Sequence, residues 1–393
     1  MLRNVCSSEY VSKGHPDKLA DLISDAILDE CLKIDPDSHV ACETLISKNL
    51  VVVSGETSTS IKEKDCCNIV KDCLDFCGYN REQSGFDFDK AKVIINLNRQ
   101  STDIDYAVKN SYEMRNKIGK ISEADTLGAG DQGIVIGYAC NETPEFMPLP
   151  YIISRDLIKQ FEQLHDERTL DYLRPVAKSL VAMVYENNKP KCINKLVISV
   201  QHTKETSQAK IKNDLQEYII ARSKYKDLFN SDTEILINPS GCFSIGGPEA
   251  DTGLTGRKII VDTYGGCARH GGGAFSGKDA SKSDRTGAYL CRWIAKNIVG
   301  HNYADQCELE LLYAIGVSKP IGININCFGT QKVGMDEIYM FIEDNVDLRI
   351  YSAIKTLNLK QPIYKEVNIR GHFGHKNHFN WEKLNINTVR ERL

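Results

Sequence analysis

The stretch Val40-Ala41-Cys42-Glu43-Thr44-Leu45-Ile46-Ser47-Lys48-Asn49-Leu50-Val51-Val52-Val53-Ser54-Gly55 decides the fold. Rich in β-branched residues and broken once, at Lys48-Asn49, it reads as two strands, 40–46 and 50–55, folded back on each other. Upstream, Leu19, Leu22, Ile23, Ala26 and Ile27 recur at helical spacing, and Pro16 suits a first turn, so residues 16–33 read as a helix. Downstream, 61–77 reads as a helix and 92–97 as a strand. A similar order returns with strands 177–185 and 192–200 about Asn187-Asn188-Lys189, a helix at 207–221 and a strand at 234–237. It returns again, more loosely, with strands 258–263, 308–315 and 321–328 and helices 284–298 and 335–342.

These units predict an α+β chain of three similar domains. Each is a mixed or antiparallel sheet with helices on one face, and the sheet faces left over are suited to packing in a dimer. The expected division is 1–104, then a linker at 105–127, then 128–241 and 242–393. The polar segment 98–125 has no sustained apolar period; it is either a lid or a surface helix with loops.

At 393 residues the chain is too long for one ordinary core. A net charge of −4 argues against a nucleic-acid footprint, and the apolar runs are too short to span a membrane. With no secretory signal at the start, a cytoplasmic protein is expected. The 14 cysteines form no C-x-x-C pair and mostly fall within apolar patterns, the usage expected of buried reduced thiols.

Three stretches carry chemistry. Gly14-His15-Pro16-Asp17-Lys18 falls at a helix start, where free N–H groups favour anions; His15 and Lys18 add donors, and Asp17 could hold a divalent metal. Gly128-Ala129-Gly130-Asp131-Gln132-Gly133 matches a dinucleotide-binding pattern but follows a polar stretch and precedes a strand, so that reading fails. A turn that aims Asp131 at a ligand and a purely structural turn both remain open. Gly253 to Lys258 and then Arg269 to Lys282 combine many glycines with Arg257, Lys258, Lys278 and Lys282; Asp251 and Asp284 flank them. Gly272 to Lys278 imitates a P-loop, but Asp279 stands where a magnesium-binding hydroxyl belongs. Glycines let amides approach anionic oxygens and the cations neutralise them, so a polyphosphate is the expected ligand.

Together these motifs, with Ala41-Cys42-Glu43-Thr44, Gln201-His202, Pro362-Ile363-Tyr364 and Gly371-His372-Phe373-Gly374, resemble methionine adenosyltransferases over residues 7–381. The resemblance implies three α+β domains paired through sheet faces into a dimer, or a dimer of dimers, with active sites between subunits. It implies ATP and L-methionine as substrates, with Mg2+, two per site, and K+ as cofactors. By similarity His15, Lys178, Arg257, Lys258 and Lys278 are catalytic. ATP would meet His15, Lys178, Phe243, Asp251, Arg257, Lys258, Ala274, Lys278, Lys282 and Asp284. Methionine would meet Glu56, Gln100, Asp131, Asp251 and Lys282. Asp17 and Asp284 would bind magnesium and Glu43 potassium, while the segment from Gln100 resembles a gate loop. Val176, Cys242, Lys13 and Ala280 depart from the family pattern. The alternatives are a catalytically altered regulatory homologue and another triphosphate-cleaving enzyme.

Overall fold

The computed structural model describes residues 5–99 and 110–386, in which three sheets each lie against one long helix. In the first, β2 (Val40–Ser47) and β3 (Leu50–Thr57) form the expected hairpin, with Asn49 in the left-handed region at φ 55°. Val40, Cys42, Thr44 and Ile46 of β2 and Val51 and Val53 of β3 are buried toward α1 (Pro16–Ile34). β4 (Lys92–Arg99) adds parallel to β3 after α2 (Glu63–Phe76).

The second sheet is centred on β6 (Leu173–Glu186) and β7 (Lys189–His202), joined by Asn187 and Asn188, both at positive φ as a tight hairpin turn requires. α4 (Leu149–Asp166) covers it; α3 (Tyr112–Asn116) is a short turn in the preceding linker. α5 (Gln208–Leu215) leads through a π-turn at Gln216–Ile220 to the parallel edge strand β8 (Glu234–Ile237). In the third sheet β10 (Gln306–Tyr313) lies between β11 (Gly322–Asn326) and β5 (Gly133–Cys140), under α7 (Ser283–Gly300). β5 and α7 approach so closely that a Cβ at Gly137 would sit 2.0 Å from the Cys291 carbonyl carbon.

The sheets do not follow contiguous sequence. β1 (Val5–Val11) pairs with β6, so the first strand completes the second sheet. β9 (Gly253–Leu254) pairs with β2, so residues late in the chain complete the first. β5 joins the sheet of β10 across about half the chain. One continuous apolar core results, running from Leu19 and Ile23 through Tyr151 and Phe161 to Tyr289 and Trp381.

Residues 258–263, expected as a strand, are instead a helical turn, α6 (Ile259–Asp262). Lys258 must reach Asp17, and Asp262 must reach the adjacent Lys18. A helical turn stacks positions i and i+4 about 6 Å apart, whereas a strand would spread them by about 13 Å. The strand expected at 308–315 is shifted two residues earlier, to Gln306–Tyr313, and that expected at 321–328 is shorter, Gly322–Asn326. Three helices had no sequence-based expectation: α4, α9 (Ile350–Leu357) and α10 (Tyr364–Arg370); α8 (Met335–Asn345) had one.

Candidate active site

The site is built on α1. His15 is its N-cap, and His15 Nδ1 accepts from the Asp17 amide at 3.2 Å. Nδ1 is therefore unprotonated, and in the neutral ring the proton sits on Nε2. Burial, with the ammonium groups of Lys258, Lys178 and Lys18 outweighing Asp17, pushes His15 down to about 3, so the ring is neutral near pH 7.

Four aspartates then follow at four-residue spacing, Asp17, Asp21, Asp25 and Asp29, which places them along one stripe of the helix. They are 1, 0, 0 and 6% exposed, so the stripe faces the interior. Each collects backbone amides from distant loops. Asp17 Oδ1 accepts from Leu254 N (3.0 Å) and Asp21 Oδ1 from Gly256 N (2.9 Å). Asp25 Oδ1 accepts from Gly277 N (2.8 Å), and Asp29 accepts from the amides of Tyr364 and Lys365. Burial raises Asp21 to about 7 and Asp29 to about 6. Burial also works against the Asp17 charge, but Lys258 and the Leu254 amide hold its carboxyl below the ordinary range.

Side chains complete the spine. Lys18 Nζ bridges Asp21 (3.1 Å) and Asp262 (2.6 Å). Arg285 grips Asp25 through two bonds, 2.7 and 3.0 Å, while also donating to the Lys278 carbonyl at 3.2 Å. Both members of that pair are almost wholly buried, so the turn carrying Lys278 is fixed from behind.

The glycine-rich loops dock on the free edge of β2. Residues 253–255 bond to its far half, and 277–279 to its near half through Cys42 N to Gly277 O (2.9 Å) and Asp279 N to Val40 O (3.0 Å). Gly277 has φ 77°, and a Cβ there would lie 1.8 Å from the Cys42 carbonyl oxygen, so this docking requires glycine. The two loops meet where Gly256, at φ 80°, faces the Ala274 methyl.

Two clusters of predicted residues result. In the first, Lys258 Nζ lies 2.5 Å from Asp17, Arg257 Nε is 3.6 Å from the same carboxylate, and Lys178 on β6 adds its charge toward His15. In the second, Lys278 Nζ lies 2.5 Å from Asp284 at the start of α7. Lys282 faces Asp279 at 3.5 Å, and Ser283 Oγ donates to the Asp131 carbonyl. Glu43 and Glu56 are exposed on the face of β2 and β3 turned away from α1, with Ala41 standing between Lys278 and Glu56 in register. Phe243 is tied by its backbone to His202, and Asp251 is exposed beyond the 247–249 turn; among the described residues neither side chain makes a hydrogen bond or ion pair with the two clusters. Gln100 lies outside the described residues.

Among the described residues no group of three or more His, Cys, Asp or Glu side chains could cage a metal. Asp17 and Asp284 stand as single carboxylates beside lysines, a donor set that suits Mg2+ bound through one carboxylate, water and phosphate oxygens.

Comparison with known proteins shows the family of the chain. Models of the S-adenosylmethionine synthetase N-terminal, central and C-terminal domains match residues 3–102, 126–243 and 245–383. The chain belongs to the S-adenosylmethionine synthetase family. The S-adenosylmethionine synthase of Clostridium botulinum (strain Alaska E43 / Type E3) is 46% identical over 385 residues, covering 98% of each chain. No helix among the described residues of this family member is long and apolar enough to cross a membrane.

Sequence reasoning missed the Asp25–Arg285 pair and the buried Lys18–Asp21–Asp262 network. The signal was present as four aspartates at period four inside an otherwise apolar helix. The identity of their partners other than Lys18, more than 200 residues away, had no local signal.

Proposed function

We propose that the chain is a methionine adenosyltransferase, converting ATP, L-methionine and water to S-adenosylmethionine, pyrophosphate and phosphate. The observation that carries this reading is the pair of lysine–carboxylate contacts, Lys258–Asp17 and Lys278–Asp284, at the two ends of the docked glycine-rich loops. A triphosphate would exchange both contacts at once. Its oxygens take the ammonium groups, and the freed carboxylates face a cation. Asp17 and Asp284 would hold magnesium, which would supply positive charge to neutralise the triphosphate.

The methionine sulfur attacks C5′, its lone pair forming the S–C bond as the C5′–O bond breaks and its electrons pass to the departing triphosphate. Neutral His15, with its proton on Nε2, donates a hydrogen bond to that oxygen. Lys258, Lys278 and Lys178 stabilise the growing charge more than they stabilise bound ATP. Arg257, half-exposed beside Asp17, is placed for phosphate contact in the subsequent hydrolysis of the triphosphate. Phe243, Asp251, Ala274, Lys282 and Asp284 complete the ATP site; Glu56, Gln100, Asp131, Asp251 and Lys282 bind methionine, and Glu43 serves K+. Because Glu43 and Glu56 lie on the uncovered face of their sheet, a second subunit packed there would close the site, giving a homodimer or a dimer of dimers. Its domains are centred on residues 1–104, 128–241 and 242–393, with β1, β5 and β9 exchanged between their sheets and 105–127 as gate or linker, and the enzyme is cytoplasmic.

Incubation with ATP, methionine, magnesium and potassium, read by mass spectrometry, should yield S-adenosylmethionine with equimolar pyrophosphate and phosphate. His15→Asn should abolish product while ATP still binds. Triphosphate breakdown indifferent to methionine, with no sulfonium product, would instead favour the triphosphatase reading. A chain that binds ATP yet makes no product would favour a regulatory homologue.

A further inference from the structure

Cys6 and Cys267 are 261 positions apart in sequence, yet their Sγ atoms are 3.0 Å apart. Cys6 lies on β1, the edge strand of its sheet; Cys267 closes the turn that follows α6. That turn is seated on β1 over several residues. Gly265 (φ 62°) has no room for a Cβ, which would fall 1.7 Å from Ser8 Oγ, and Gly266 (φ 97°) faces the Ser7 carbonyl. The sulfurs are therefore held together by packing on both sides rather than by chance rotamers. Both residues are half-buried, so a small reagent can reach them, whereas most of the other cysteines, including Cys31, Cys42, Cys73, Cys77 and Cys291, are fully buried.

We infer that Cys6 and Cys267 form an oxidation site that takes a hydroperoxide and closes to a disulfide, stapling β1 to the turn that leads into the glycine-rich loop. The hydrogen bond between the two sulfurs holds the Cys6 thiol below its ordinary value, against burial and the nearby Glu142; Cys6 is taken to attack first, and the same disulfide follows if Cys267 does. The Cys6 thiolate attacks one peroxide oxygen; the O–O bond breaks, hydroxide leaves, and Cys6 becomes a sulfenic acid. Cys267 then loses its proton and its sulfur attacks the Cys6 sulfur; the S–O bond breaks and water leaves. Two thiols are oxidised by two electrons and one hydrogen peroxide is reduced to two waters. Closure asks the sulfurs to move together by only about 1 Å. The bond would close one of the longest loops the chain can form, which constrains the unfolded state most strongly.

The test treats the reduced, full-length protein with a small excess of hydrogen peroxide, followed by alkylation, non-reducing proteolysis and mass spectrometry. The expected result is a Cys6–Cys267 linked peptide as the dominant oxidised species, reversed by dithiothreitol. A rise in melting temperature on the order of 5 °C should accompany it. Cys6→Ser and Cys267→Ser, with melting temperatures near that of reduced wild type, should show no such rise. If either variant fails to fold, alkylation of the wild type decides: peroxide should protect both thiols together. Recovery of Cys6 as sulfinic acid with Cys267 free, or dominant linkage of other cysteines such as Cys242, would overturn the inference.

Discussion

Lys278 illustrates what single residues do here. Its backbone is gripped by β2 and by Arg285, while its ammonium lies on Asp284, so the side chain alone is free to exchange partners. Lys278→Met should leave the fold intact and lower kcat by about 100- to 1,000-fold, the range for losing one donor to a developing oxyanion; steady-state kinetics at saturating ATP checks it. Arg285 is the opposite case. It touches no proposed substrate position, but Arg285→Met would strand the Asp25 carboxylate in the interior, at a cost of about 3–5 kcal/mol in denaturant unfolding. The chemical type of Lys278 was legible from the sequence, since glycines beside lysines point to phosphate; the role of Arg285 was not, because it depends on a helix 260 positions away.

At the scale of elements, α1 does more than supply apolar surface. Its aspartate stripe gathers the amides of three loops, and its pH behaviour follows from burial. The folded-state value of Asp29, about 6, lies above the ordinary 3.8, so the folded protein holds an extra proton between these limits. Stability from this group is therefore present below about pH 4 and is lost as pH rises toward 6, by on the order of 3 kcal/mol. Asp29→Asn should flatten that part of the stability–pH curve relative to wild type, as followed by urea midpoints from pH 4 to 7. The slope is the readout, since the substitution also removes one of two amide acceptors. Helix α1 and the β2–β3 hairpin were legible because period and turn residues agree. The run Ile259-Ile260-Val261 was not: β-branched residues favour a strand, and only the need to bring Lys258 and Asp262 onto neighbouring positions of α1 makes it a helical turn.

At the scale of the whole molecule, three sheets laid on three long helices match the architecture expected from the repeated strand and helix order. The exchange of β1, β5 and β9 between sheets had no such signal, since strand partners far apart in sequence leave no local trace. One face of the first sheet stays partly open, with Leu45, Val52 and Ile94 abreast and Glu43 and Glu56 beyond them. If that face is the proposed subunit contact, Val52→Lys should shift the protein to monomer in light scattering and remove activity together, leaving circular dichroism unchanged. An active monomer would rule the shared site out.

The pairing of Val11 with Lys178 has a consequence during translation. The first strand leaves the ribosome with its partner roughly 170 residues behind, on the order of ten to thirty seconds at ordinary elongation rates. Throughout that interval an unpaired edge is on offer to every neighbouring nascent chain on the same message, and the growing polypeptide depends on whatever shields it until its own sixth strand arrives.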